Sequence, residues 1–187
     1  MSRIGKMPVM LPVGVKVTVS DNDIIVKGPK GESKQKRVPG IDFVVDSSGK
    51  SVCVKRNGDS KQEKAMHGLY RALLQNMVKG VIDGYQKTLR IVGTGYKVEL
   101  KGKTLEVYAG FAKPVLFQIP QGIELEIPKQ SSREFMEFIV RGIDKQLVGE
   151  TAVRIRRIRP PDLYMGKGIR MTDEKVRQLE GKSFGAK

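Results

Sequence analysis

The sequence predicts an α+β protein of two tandem duplicated domains, each a small antiparallel sheet packed against one helix, with a basic C-terminal extension. Short stretches of alternating apolar residues precede a longer stretch of helical periodicity, and this order occurs twice. We expect an N-terminal α+β repeat at 1–82 and a C-terminal repeat at 83–187, whose tail covers about 158–187. The alternative is one continuous β-rich domain.

The duplication is visible as four segments that recur in the same order, displaced by about 81 to 84 residues. No single match is persuasive, but a shared order with a drifting offset is what loop insertions between two copies of a unit would produce. The matched segments are 15–17 with 96–98, 21–28 with 101–110, 38–41 with 119–123, and 55–62 with 140–146.

Strands are predicted where apolar residues alternate with others along the chain, because alternate side chains of a strand face the same side of a sheet. Asp21-Asn22-Asp23 and Lys101-Gly102-Lys103 are typical of hairpin turns. In the second copy Glu124 and Glu126 alternate with apolar residues, which predicts a strand with one solvated face. The alternating stretches are 13–19, 24–26, 52–54 and 123–127.

The first helix has a clear start at Ser60-Lys61-Gln62-Glu63, a capping-box pattern in which Ser and Glu side chains satisfy free backbone N–H groups. Gly80 is the predicted stop. The predicted buried face combines apolar residues at three- and four-residue spacing, namely Met66, Leu69, Tyr70, Leu73 and Met77.

The second helix is predicted to start near Asp144, with Arg154, Arg156 and Arg157 pointing away from its buried face. A third, short helix is predicted in the tail, capped by Thr172 and ended by Gly181. The buried face of the second helix is expected to contain Leu147, Val148, Thr151, Ala152 and Ile155.

The composition indicates an anionic partner, because 35 Lys and Arg residues against 20 Asp and Glu give a net charge of +15. Cys53 is the single cysteine, which excludes a disulfide framework and a cysteine-based zinc site. No apolar run approaches the roughly 18 residues of a membrane span, and the first residues lack a signal-peptide pattern. We therefore expect a cytoplasmic protein without a membrane partner.

Catalysis has weak support, and we expect neither enzyme activity nor a cofactor or metal site. His67 is the only histidine and has no companions that would activate a nucleophile, so a structural or surface role is expected. Gly181-Lys182-Ser183 lacks the glycine five residues earlier that a phosphate loop needs. Gly93-Thr94-Gly95 lacks the third glycine of a dinucleotide fingerprint, and a tight turn or bulge accounts for it better.

The tail is the strongest candidate for binding a polyanion, because four arginines between Arg154 and Arg159 precede a Pro-Pro turn and a Gly166-Lys167-Gly168 loop. The segment has too little apolar content to bury itself, and its glycines would let the chain approach a surface closely. Tyr164 either stacks on a base or sugar or anchors the tail to its own domain. The predicted RNA-binding residues are Arg154, Arg156, Arg157, Arg159, Tyr164, Gly166, Lys167, Gly168, Arg170, Lys175, Arg177 and Lys182.

Residues 161–170, Pro-Asp-Leu-Tyr-Met-Gly-Lys-Gly-Ile-Arg, closely resemble the P-E-P-Y-K-G-K-G-I-[RK]-Y motif of the bacterial L-six family of large-subunit ribosomal proteins. Further similarity at 1–6, 26–32, 92–96 and 175–182 extends the resemblance over nearly the whole chain. Pro161, Tyr164, Gly166, Lys167, Gly168 and Arg170 match the motif. Leu163, Met165 and Met171 depart from it, replacing a proline, a lysine and an aromatic residue.

The resemblance implies a ribosome-bound structural protein of two duplicated α+β domains that binds large-subunit rRNA chiefly through the C-terminal domain. It also implies a place near the stalk base and translation-factor site, beside the sarcin–ricin region, with ribosomal proteins as neighbours and translation factors nearby. Self-association is not expected. The alternatives are a free-standing RNA-binding translation or architectural factor and, in a different class, a nucleic-acid-processing enzyme.

Overall fold

The computed structural model describes residues 4–46, 49–128 and 135–179. The chain divides into two units, which we call unit 1 and unit 2. Unit 1 contains Met1–Tyr85 together with Ile143–Lys145, and unit 2 contains Gln86–Gly142 together with Gln146–Lys187.

Unit 1 is built from six strands followed by one long helix. The strands form two antiparallel three-stranded sheets, one in the order β1-β6-β5 and the other in the order β2-β3-β4. The elements are β1 (Val9–Met10), β2 (Lys16–Val19), β3 (Asp23–Gly28), β4 (Gly31–Lys36), β5 (Ile41–Val45), β6 (Ser51–Arg56) and α1 (Lys61–Ile82).

Helix α1 contacts both sheets of unit 1 and closes a single apolar core. Alternation places Ile24 and Val26 of β3 and Val52 and Val54 of β6 in this core. His67 is also buried, and its Nε2 lies 2.9 Å from the carbonyl oxygen of Val54. The predicted structural role of this histidine agrees with that position.

The capping box of α1 is confirmed. Ser60 Oγ accepts a hydrogen bond from the Glu63 backbone N–H at 3.2 Å, and the Ser60 N–H donates to Glu63 Oε2 at 3.0 Å. The Ser60 hydroxyl, which also donates to Glu63 Oε2 at 2.5 Å, and the Ser60 N–H lower the pKa of the Glu63 carboxyl. Two orphan backbone donors are satisfied in this way, which fixes the first turn of the helix.

The predicted helix stop at Gly80 is wrong, because α1 continues to Ile82 and is capped by Asp83 and Gly84, whose φ is +72°. Gly80 is buried, and a Cβ there would overlap the backbone carbonyl oxygen of Ile143. This glycine is required by close packing inside the helix.

The predicted buried face of α1 is also partly wrong. Tyr70 and Met77 are buried as expected, but Leu69 is 48% exposed and Leu74 is only 1% exposed. Val78 and Val81 are buried as well, so the apolar stripe of α1 includes Leu74 and leaves Leu69 outside.

Unit 2 repeats the arrangement and adds one strand. Its sheets have the orders β10-β9-β8 and β11-β12-β7-β13. The elements are β7 (Tyr85–Val92), β8 (Lys97–Lys101), β9 (Thr104–Tyr108), β10 (Val115–Gln118), β11 (Ile123–Glu126), β12 (Phe135–Gly142), α2 (Lys145–Ile158) and β13 (Gly168–Met171).

The predicted duplication and the α+β class are confirmed by this topology. Strands β2-β3-β4 correspond to β8-β9-β10, and β1-β6-β5 corresponds to β7-β12-β11, in the same chain order and with the same neighbours. Each unit then places one helix after its sixth strand. Strand β13 has no counterpart among the strands described in unit 1, so the repeats differ mainly in the segment C-terminal to the helix.

The predictions for the buried face of α2, for β11 and for the Gly93-Thr94-Gly95 segment also agree with the structure. Val148, Thr151, Ala152 and Ile155 are buried on α2, with Leu147 half-buried beside them. On β11 the two glutamates are exposed and their neighbours are buried. The Gly93-Thr94-Gly95 segment is a turn between β7 and β8, in which the Tyr96 N–H donates to the Gly93 carbonyl oxygen at 3.1 Å.

Candidate nucleic-acid interface

The tail leaves α2 at Ile158 and folds into a closed loop over residues 162–167. The Asp162 N–H donates to the Lys167 carbonyl oxygen at 2.8 Å, and the Gly166 N–H donates back to the Asp162 carbonyl oxygen at 3.0 Å. The Asp162 carboxylate accepts the Met165 N–H at 3.0 Å. Because these bonds satisfy the backbone locally, the loop has a defined shape that presents its side chains outward.

After the loop, strand β13 joins the edge of the larger sheet of unit 2. Ile169 lies opposite Ile91 of β7 in an antiparallel register and is fully buried. The expectation that this segment cannot bury itself is therefore wrong. One isoleucine at the correct register, with the ladder bonds of an edge strand, is enough to fold it onto the domain.

The predicted third helix is also absent over the part of the tail that the structure describes. Thr172 and Asp173 form a turn, and residues 174–179 are not helical. The Thr172 N–H donates to the Thr88 carbonyl oxygen at 3.1 Å, and Asp173 pairs with Lys87 at 3.0 Å. The two groups expected to start a helix instead attach the tail to β7, which is a tertiary contact that the local pattern does not reveal.

The two glycines of the loop serve the internal packing of the tail. Gly168 has φ +142°, and a Cβ there would lie 2.5 Å from the carbonyl oxygen of Pro160. A Cβ on Gly166 would lie 2.7 Å from Nε2 of Gln178. Both residues are buried, so the close approach that they permit is made within the chain, contrary to the expectation that it is made to an external surface.

Two arginines of the basic cluster are paired with carboxylates of unit 2. Arg156 donates from Nε to Glu174 Oε2 at 2.7 Å and from Nη2 to Glu174 Oε1, which makes a bidentate pair. The pair lowers the pKa of the Glu174 carboxyl and raises the pKa of Arg156. Arg154 pairs with Glu150 at 2.6 Å on the exposed side of α2.

Arg156 therefore departs from the prediction that it points away from the buried face, since its side chain is only 30% exposed. Arg159 extends over the ring of Phe111, 5.4 Å from its centroid, a cation–π contact that holds the guanidinium at the surface. Sequence reasoning missed Lys87, Phe111 and Glu174 as supports of the tail. No local signal marks them, because each acts across a long sequence separation.

The remaining cations define what we call the tail surface, namely Arg157, Lys167, Lys175 and Arg177. All four are exposed, and none forms an ion pair within the ranges 4–46, 49–128 and 135–179. Arg170 is half-buried on β13, opposite Arg90, whose own charge is paired with Glu137 at 2.6 Å. Lys182 lies outside the described residues.

The tip of the tail loop is apolar. Leu163, Tyr164 and Met165 are 50%, 61% and 70% exposed. The exposure of Tyr164 argues against its role as an anchor onto its own domain and leaves the ring available for an external contact. Apolar and aromatic side chains raised above cations suit a surface that bears both bases and phosphates.

Metal-binding clusters and membrane-spanning helices were sought among the described residues. Within the described part of the chain, no group of three or more His, Cys, Asp or Glu side chains could hold a metal ion. Over the same residues, no helix is long and apolar enough to cross a membrane.

Comparison with known proteins shows which family the chain resembles. The family model described as ribosomal protein L6 matches residues 11–84 and again 92–171, once in each repeat. The chain is 48% identical over 183 residues to the large ribosomal subunit protein uL6 of Maridesulfovibrio salexigens, covering 98% of this chain and 99% of the relative. The corresponding protein of Syntrophomonas wolfei is 49% identical over 185 residues, covering 99% of both chains.

The chain belongs to the ribosomal protein L6 family. The family is structural and non-enzymatic, so membership confirms the expected family and the expectation that the chain is not an enzyme. The first match begins after β1 and covers β2 to β6 with α1, and the second begins at Val92, the last residue of β7, and covers β8 to β12 with α2. The second match ends at Met171, the last residue of β13, so the fourth strand of the larger sheet is part of the matched region.

Proposed function

We propose that this chain is a structural component of the large ribosomal subunit and binds large-subunit rRNA through the tail surface. The single observation that carries the proposal is a set of four exposed cations without ion pairs among the described residues, one in the last turn of α2 and three on a tail that is hydrogen-bonded to β7. Because the scaffold is folded in advance, binding would order few residues, and the charges already face outward.

The mode of binding is neutralisation of phosphates by side chains, supplemented by the apolar tip. Arg157, Lys167, Lys175 and Arg177 act on phosphates, and Tyr164 stacks on a base or a sugar. Phosphate contacts set the position of the protein on RNA and carry little sequence information. Shape recognition of folded RNA therefore suits this surface better than reading of a base sequence.

The position within the subunit is also part of the proposal. The family resemblance supports a location at the stalk base, near the translation-factor site and beside the sarcin–ricin region. Neighbouring ribosomal proteins then surround the chain, and translation factors come close to it. The division into repeats at 1–82 and 83–187, with the rRNA-binding tail at about 158–187, belongs to the same proposal.

The salt dependence of binding to a large-subunit rRNA fragment tests the mechanism. Four to five phosphate contacts predict that the logarithm of affinity falls with the logarithm of salt concentration at a slope of about −3 to −4. Lys167→Gln should reduce the magnitude of that slope by about 0.7–0.9. An affinity independent of salt, or a Lys167→Gln slope equal to that of the unchanged protein, would refute it.

Lys79→Gln provides the matched control. Lys79 is exposed in the last turn of α1 in unit 1 and loses the same charge. We expect the rRNA affinity and the salt slope of this variant to match those of the unchanged protein, because Lys79 lies outside the tail surface. Equal losses of rRNA affinity in Lys79→Gln and Lys167→Gln would indicate that binding depends only on the net charge of the protein.

A further inference from the structure

Unit 1 contains an open cleft of about 520 Å³ at the start of α1, which we call the N-terminal cleft. Its lining includes Lys6, Lys55, Arg56, Asp59 and His67. Lys55 and Arg56 bring positive charge to this lining, and the carboxylates of Asp59 and Glu63 both interact electrostatically with Arg56. The cleft belongs to the basic N-terminal repeat and contains no residue of the tail surface.

Arg56 is held rigidly in the wall of this cleft. Its Nε lies 3.1 Å from the Gly58 carbonyl oxygen, and its Nη1 lies 3.3 Å from Nδ1 of His67. Guanidinium nitrogens only donate, so Nδ1 accepts, and Nε2 of the same ring donates to the Val54 carbonyl oxygen. The buried ring is thus a neutral tautomer that orients the guanidinium, whose side chain is only 12% exposed.

The outward edge of Arg56 is occupied by a carboxylate. Asp59 Oδ1 accepts from Nε at 3.1 Å and from Nη2 at 2.6 Å. The Arg56 hydrogen bond, followed by the charge of Lys64, lowers the pKa of Asp59. Asp59 is 77% exposed, so it can leave the guanidinium without disturbing the core. A bidentate oxyanion position is therefore preformed and covered by an exposed side chain.

Lys55 supplies a second positive charge at this position. It precedes Arg56 on β6 and lines the cleft. It forms no ion pair in the described part of the chain, and Asp42, its partner on β5, pairs with Arg37 at 2.9 Å. Displacement of Asp59 by an incoming anion would leave Arg56 to bind that ligand, with the charge of Lys55 at the wall of the same cleft.

We propose that the N-terminal cleft binds a phosphate group, either free phosphate or a phosphate of an RNA backbone, in place of the Asp59 carboxylate on Arg56. Phosphate carries more charge than one carboxylate and fits the guanidinium fork with two oxygens. Lys55, which lines the same cleft, attracts the anion through its charge. Asp59 acts as an internal competitor, so the site has moderate affinity.

The single histidine of the chain allows a direct test, because its imidazole resonances in an NMR spectrum need no assignment by mutation. The intact chain is titrated with sodium phosphate at constant ionic strength, with sodium chloride as the reference. A saturable shift of the His67 resonances is expected, since Arg56 joins the ring to the bound anion. A parallel titration uses a six-nucleotide uridine RNA.

Three variants make the test specific. Asp59→Asn removes the competitor and should tighten phosphate binding about fivefold, the effect of one unit charge at 4 Å in water. Lys55→Gln should weaken it by about the same factor. Lys79→Gln, roughly 27 Å along α1 from its first residue, should leave it unchanged. The amide spectrum of each variant shows whether the fold is retained.

The two sources of phosphate are separated by comparing the titrations. Tighter binding of the RNA than of free phosphate indicates a backbone phosphate, and a response to phosphate without a response to RNA indicates the free ion. Absence of a saturable His67 shift with both probes, or equal affinities in Asp59→Asn and Lys55→Gln, would overturn the proposal. The tail surface is measured separately through Lys167, so either site can fail while the other stands.

Discussion

The pair between Arg156 and Glu174 is the contact that most directly holds the tail to α2, and Glu174→Gln should loosen it. The two side chains are 30% and 25% exposed. Exposed ion pairs contribute about 0.2–1 kcal/mol, and breaking a fully buried pair costs about 3–5 kcal/mol. A bidentate pair at intermediate burial therefore predicts a loss of about 1–2 kcal/mol in the free energy of unfolding at pH 7.

The pH dependence gives the sign of this effect. The pKa of Glu174 is lowered in the folded state from the ordinary value of 4.5, chiefly by its hydrogen bond with Arg156. The stabilisation that the pair provides is therefore fully present above the pKa of Glu174 in the unfolded chain. It is lost as the pH falls through the pKa of Glu174 in the folded protein. The difference between the unchanged protein and Glu174→Gln should be full at pH 7 and should shrink steadily below about pH 4.5.

Urea unfolding followed by circular dichroism measures the loss, and amide hydrogen exchange in β13 shows that it arises in the tail. Glu150→Gln is the matched control, because it removes the same charge from the exposed pair with Arg154, where about 0.3–0.5 kcal/mol is expected. A loss in Glu174→Gln no larger than in Glu150→Gln, or one that persists undiminished at acidic pH, would refute the reasoning.

Two further predictions concern glycines. Gly80→Ala should destabilise unit 1 by about 1–3 kcal/mol although alanine favours helices, because the added methyl overlaps a carbonyl oxygen. Gly149→Ala, at a position of α2 with open space around it, should instead stabilise the protein by about 0.5–1 kcal/mol. Urea midpoints of the two variants equal to that of the unchanged protein would contradict both values. Gly168→Ala should cost more than Gly102→Ala, which has φ +60° and open space, where about 1–2 kcal/mol is expected. Thermal unfolding measures the stability of both variants. A larger loss in Gly102→Ala than in Gly168→Ala would be inconsistent with the packing described for the tail.

Much of the fold could be predicted because its signals are local. Ser60 and Glu63 mark a helix start within four residues, and alternation in β11 separates Glu124 from its buried neighbours. The duplication also helped, because an element predicted in one repeat has a counterpart in the other. The predicted stop of α1 at Gly80 was wrong because this glycine is required by close packing against Ile143, which is distant in the sequence.

The candidate site was harder to predict, because charge composition does not show which cations are already paired. Arg156 and Arg157 are adjacent in sequence, yet one is paired with Glu174 and the other is exposed. The prediction of a helix in the tail was wrong because pairing over long sequence separations is not visible locally. Asp173 fits a first helical turn but pairs with Lys87, 86 residues away. Local patterns therefore located the basic segment and could not give its conformation.

In our proposal the tail surface attaches the chain to the large ribosomal subunit. Sedimentation of subunits through a high-salt gradient tests this attachment, after reconstitution with the unchanged chain or with a variant carrying Arg157, Lys167, Lys175 and Arg177 all changed to Gln. We expect the unchanged chain to sediment with the large subunit and the variant to remain at the top. An unchanged chain that stays at the top, as a free-standing factor would, or a variant that sediments equally well, would contradict the proposal.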